Sequence, residues 1–144
     1  MGGGSCGVLV LDDRHAGLPG GVLSHVEATV HYLDLAGIQA RSLRDFGGRA
    51  ELWGKVTKLY ASSSGLQSLD GLEQLSTIRF LYLDHNSLAE SELLRLPDVL
   101  PAGVRLETLD LRGNPGLTPA VETALESSPL LARTEFFNGR RLRR

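Results

Sequence analysis

One spacing governs what this chain can fold into. The run I-R-F-L-Y-L-D-H-N-S-L at residues 78–88 places apolar side chains at its positions 1, 4, 6 and 11 and an asparagine at position 9. A second copy, L-E-T-L-D-L-R-G-N-P-G-L, begins at Leu106 and puts Leu109, Leu111 and Asn114 at the same offsets. Positions 4 and 6 alternate, so on an extended strand they share one face and point into a core. An asparagine at position 9 falls in a turn, where its amide can satisfy backbone groups left open at the strand end. A unit of this kind cannot bury its apolar face alone; it must stack on copies of itself.

The same template extends outward in both directions. It places Val56, Leu59, Ala61 and Ser64 in one unit, closed by Leu66, and Val30, Leu33, Leu35 and Ile38 in another. At the ends it reads Cys6, Leu9, Leu11 and, last, Leu131, Thr134, Phe136, Gly139. First positions are then Cys6, Val30, Val56, Ile78, Leu106 and Leu131, spaced by 24, 26, 22, 28 and 25 residues. Asn86 and Asn114 fill the turn position, Ser64 is a weaker substitute, and Ile38 and Gly139 bring no polar side chain to it. Between strands, Thr118-Pro119 reads as a helix cap and first turn for the run 120–125. Further helical stretches are expected at 89–96, stopped by Pro97, at 41–53, interrupted by Gly47-Gly48, and at 22–29. The shortest linker, 68–75, suits a single 3₁₀ or helical turn.

These motifs resemble the leucine-rich repeat family, most closely its ribonuclease-inhibitor-like branch with one short repeat inserted. The resemblance implies an α/β solenoid with a curved parallel β-sheet and convex helices or turns. It covers residues 1–144 as a single domain of about six irregular repeats, with a basic tail at 140–144.

Composition narrows the setting. Hydrophobic residues make up 42% and charged residues 22%, ordinary values for a globular domain. The apolar runs are too short to span a bilayer, and no secretory leader is visible, so an intracellular, cytoplasmic protein is expected, with an organelle assembly left open. Cys6 is the single cysteine and has no internal partner for a disulfide. Four of the fifteen basic residues lie in the last five; without them 11 basic groups face 17 acidic ones, a net −6.

In a solenoid of this family the strands line the concave face, with positions 3, 5 and 7 outward. The template assigns Val8, Val10 and Asp12 to that face, then Tyr32, Asp34 and Ala36, then Lys58, Tyr60 and Ser62. The later repeats add Phe80, Tyr82, Asp84, Thr108, Asp110, Arg112, Arg133, Glu135 and Phe137. All three tyrosines of the chain fall here, although aromatic residues also favour strands for packing reasons alone. The expected function is protein binding, as an adaptor or structural subunit of a larger complex. Tyr32, Tyr60, Phe80 and Tyr82 would anchor the partner, with Asp34, Asp84 and Asp110 setting a charge preference suited to a basic segment; Lys58, Arg112 and Phe137 complete the expected protein-binding surface.

The alternative is a peripheral ribonucleoprotein subunit contacting RNA through Arg140, Arg141, Arg143 and Arg144. No enzyme is expected. His15, His25, His31 and His85 are scattered, no C-x-x-C pattern accompanies Cys6, and Ser62-Ser63-Ser64 lacks a nucleophile-elbow context. No metal or other cofactor is therefore expected. The start, Met1-Gly2-Gly3-Gly4-Ser5-Cys6, resembles an acylation signal with Cys6 in place of the usual serine or threonine. Membrane attachment would require acylation of Gly2 or Cys6.

Overall fold

The computed structural model describes residues 8–10, 23 and 30–142. Gly2, Cys6, Leu11, Asp12, His15, His25, Arg143, Arg144 and most of the stretch 22–29 lie outside that set. Short strands recur at positions 3 to 5 of the first five template units: β1 Val8–Val10, β2 Tyr32–Asp34, β3 Lys58–Tyr60, β4 Phe80–Tyr82 and β5 Thr108–Asp110. β6, Phe136–Phe137, and β7, Arg140–Arg141, complete a seven-stranded sheet ordered as in the sequence. Strands β1 to β6 are all parallel, and only β7 runs antiparallel. The architecture is α/β.

Pairing is in register across the sheet. Leu9, Leu33, Leu59, Leu81, Leu109 and Phe137 are successive cross-strand partners. From Leu33 onward this row is completely buried, as are Leu35, Ala61, Leu83 and Leu111 two residues further along. Connecting segments close the core from the other side. They comprise 3₁₀ turns at Leu43–Phe46 and Leu72–Gln74 and the helices α1 Ala50–Trp53, α2 Glu90–Leu94, α3 Leu96–Val99, α4 Pro119–Glu126 and α5 Pro129–Ala132. Their inward residues, Leu43, Phe46, Trp53, Leu72, Leu93, Leu96, Val121 and Leu125, join the strand leucines in one hydrophobic cluster. Each such side chain contributes about 1.5–3 kcal/mol on removal from water. Local chemistry explains the helix starts. Thr118 caps α4 by accepting from Val121 N, and Ser128 caps α5 by accepting from Leu131 N.

The buried asparagines tie neighbouring repeats together. Asn86 Oδ1 accepts from Ser64 N at 2.8 Å and Leu66 N at 3.1 Å, while Nδ2 donates to Ala61 O and Leu83 O, each at 2.9 Å. Asn114 repeats the pattern, accepting from Leu88 N and donating to Leu83 O and Leu111 O. Ser64 does less: its hydroxyl donates toward Leu35 O at 3.2 Å.

Three expectations need correction. Pro97 does not stop the helical region; it occupies the second position of α3, where its missing N–H costs no helical hydrogen bond. The final repeat is displaced by three residues. Leu131 belongs to α5 rather than to a strand entry, because the Ser128-Pro129 cap starts an additional turn. Phe137, not Thr134, therefore pairs with Leu109, and Phe137 is fully buried while Phe136 is exposed. Third, the arginines at 140 and 141 are not a free tail. Asn138 and Gly139 both have positive φ, 53° and 81°, as a tight two-residue hairpin turn requires, and they fold β7 back onto β6.

Candidate functional site

The outer side of the sheet carries two rows of side chains, set by the parallel register. One row runs Val8, Tyr32, Lys58, Phe80, Thr108, Phe136 and the other Val10, Asp34, Tyr60, Tyr82, Asp110. Neighbours in a row lie one strand spacing apart, about 4.8 Å, close enough for aromatic rings to touch. Tyr60 and Tyr82 stack, with ring centroids 4.6 Å apart and planes 12° from parallel. Lys58 lies among three rings: its Nζ is 5.3 Å from the centroid of Tyr32, 5.2 Å from Tyr60 and 5.2 Å from Phe80. Ring faces are electron-rich and hold an ammonium by cation–π attraction. A hydrogen bond with the Tyr60 side chain is the main cause that raises the Lys58 pKa above its ordinary value, against a smaller opposing effect of burial. Burial is likewise the main cause that raises the Tyr82 hydroxyl above its ordinary value.

The aromatic surface stays accessible. Tyr32 is 44% exposed, Tyr60, Phe80 and Tyr82 are half-buried, and Val8 and Val10 extend an apolar edge at 48% and 64% exposure. Phe137 does not belong to it. Phe136 takes the equivalent place at the far end, beneath the Arg141 guanidinium at 6.0 Å.

The acidic groups are largely satisfied within the chain. Asp110 is buried and accepts from Arg112 Nε at 3.0 Å and Nη2 at 2.7 Å. Asp84 accepts from the Ser62 hydroxyl at 2.6 Å and lies 2.9 Å from His85 Nδ1. Burial alone would push the Asp84 carboxyl up, but hydrogen bonds from Ser62, His85 and its own backbone outweigh it and hold the group below the usual range. Asp34 turns back to accept from Ala36 N at 3.0 Å.

Ser62, Asp84 and His85 are the residue types of a nucleophilic triad in an order that does not activate serine. The hydroxyl is bonded to the carboxylate, not to the imidazole, and a carboxylate held at low pKa is a poor proton acceptor. Among the described residues no group of three His, Cys, Asp or Glu side chains could hold a metal ion, and no helix is long and apolar enough to cross a membrane.

Of the arginines expected to meet a polyanion, Arg140 pairs with Glu126 at 2.5 Å and Arg141 with Glu135 at 3.4 Å. A second basic cluster, which the sequence reading missed, lines an open groove of about 600 Å³ where the strands are entered, from Arg79, Arg105 and Arg133. It is interleaved with Glu107 and Glu135, and Arg79 is paired with Glu107. Its signal was present as arginines immediately before Leu106 and Thr134, one repeat apart.

No protein-family model matches the chain, and no curated protein matches it.

Proposed function

We propose that the chain is a leucine-rich repeat solenoid whose outer sheet surface binds another protein, making it an intracellular adaptor or structural subunit of a larger assembly. The observation that carries this reading is the aromatic surface itself. Three neighbouring strands bring Tyr32, Tyr60, Phe80 and Tyr82 together in register on the side away from the core, where they are not needed to fill it and remain accessible. Tyr60 and Tyr82 are already stacked on each other, and rings held in this way lose little freedom on contact with a partner, which makes aromatic residues effective anchors. The repeat reading rests on the recurring apolar spacing, the in-register parallel strands and the asparagine contacts between repeats.

The test is affinity capture from native extract with the wild-type chain and with the Tyr60→Ala/Tyr82→Ala double variant. Partners retained by the wild type should fall at least about tenfold with the double variant, a loss of about 1.4 kcal/mol or more. The variant's unfolding midpoint should stay close to wild type. An unchanged partner set would overturn the proposal.

A further inference from the structure

We infer that the bound partner presents a carboxylate to this surface, received by Lys58 between Tyr32, Tyr60 and Phe80. The inference rests on the protein-binding reading above and specifies its chemistry. It also reverses the sign that composition implies, since counting residues on this surface favours a basic partner.

The reversal follows from which charges are spent. Arg112 neutralises Asp110 with two hydrogen bonds, Ser62 and His85 satisfy Asp84, and Asp34 is turned into its own loop. Lys58 is different. No carboxylate among the described residues forms an ion pair with it; apart from its hydrogen bond with the Tyr60 side chain, its neighbours are aromatic rings. An ammonium has three N–H donors, and ring faces fix its position without the full partnership an anion gives. The cation is thus pre-positioned with donors to spare, so an incoming carboxylate need not order a flexible lysine first. Apolar edges around the contact lower the local dielectric as the partner closes over it, which strengthens a charge pair. Val8, Val10 and the exposed ring of Tyr32 lie on one flank, so the carboxylate should have apolar neighbours on its own chain.

The experiment selects ligands without prejudging them. A displayed library of random ten-residue peptides is panned on the wild-type chain, and clones are re-tested on Tyr60→Ala/Tyr82→Ala, Lys58→Gln and Lys58→Arg. Peptides that need the tyrosines should be enriched in Asp or Glu beside apolar residues. A synthetic peptide of the selected sequence should bind about tenfold more weakly to Lys58→Gln, a loss of about 1.4 kcal/mol, and within a few-fold of wild type to Lys58→Arg. Changing its acid to the amide should cost the same factor on the wild type and nothing further on Lys58→Gln. Tyrosine-dependent peptides that are basic, or indifferent to Lys58→Gln, would overturn the charge assignment and leave the binding surface standing. A selection that yields only peptides indifferent to Tyr60 and Tyr82 would overturn the binding surface itself, and this inference with it.

Discussion

Asn86→Ala should be among the most damaging substitutions of a polar residue in this protein. The side chain is 6% exposed and bridges two repeats. Its loss strips Ser64 N, Leu66 N and Ala61 O of the partners described above, whereas Leu83 O keeps the amide of Asn114 at 3.0 Å. Each buried backbone group left unpaired costs about 1–3 kcal/mol, and water entering the gap recovers part of it, so a total of about 3–6 kcal/mol is expected. That is a large share of the roughly 5–15 kcal/mol that hold a domain together. Urea unfolding followed by circular dichroism reads it directly as a fall in midpoint at unchanged slope. Asn86→Asp sharpens the argument. It keeps the oxygen that accepts from Ser64 N and Leu66 N but turns a second carboxylate oxygen toward Ala61 O and Leu83 O, so it should be as unstable at neutral pH and recover in part as acid protonates it. Ser64→Ala, which removes one hydroxyl with bonds of 3.2 and 3.3 Å, should cost only about 1 kcal/mol. A loss below about 1 kcal/mol for Asn86→Ala would refute the view that these contacts hold the repeats together.

Other expectations follow from the same contacts. Phe137→Ala should cost about 3–5 kcal/mol by emptying a fully buried site, while Phe136→Ala should cost less than about 1 kcal/mol; equal effects in denaturant titrations would mean the final register is wrong. Gly116→Ala should lower stability by about 3 kcal/mol or more in calorimetry, because its Cβ would fall 2.1 Å from Glu90 N, a backbone atom. Lys58 and Tyr82 both have folded pKa values raised above their ordinary 10.5 and 10.0, so above about pH 10 the folded chain holds more protons than the unfolded one. Stability should therefore decline as pH rises through that window, and the decline should be shallower in Lys58→Met; a stability flat to pH 11 would contradict it.

The middle of the fold was legible because strand periodicity and burial agree there. Leu59, Leu81 and Leu109 alternate with Tyr60, Tyr82 and Asp110, and a slip of one residue would have exposed every leucine. The last repeat misled because Leu131 is apolar at about the right distance, although its burial comes from α5. The Asn138-Gly139 pair between Phe136-Phe137 and Arg140-Arg141 was the stronger signal, since few dipeptides besides Asn-Gly readily take positive φ at both turn positions. The aromatic residues of the surface were legible for the same reason as the strands. Its charge was not, because the net sign depends on pairings such as Arg112 with Asp110 and Ser62 with Asp84, which spacing does not encode.

The central claim is that the outer sheet surface is where a partner binds. Hydroxyl-radical footprinting of the chain alone and in a captured complex tests it residue by residue. Tyr32, Tyr60, Phe80 and Tyr82 should lose reactivity in the complex, while the exposed Leu94 of α2, on the helical side, keeps its own. Protection of Leu94 with the four aromatic rings unchanged would contradict the account.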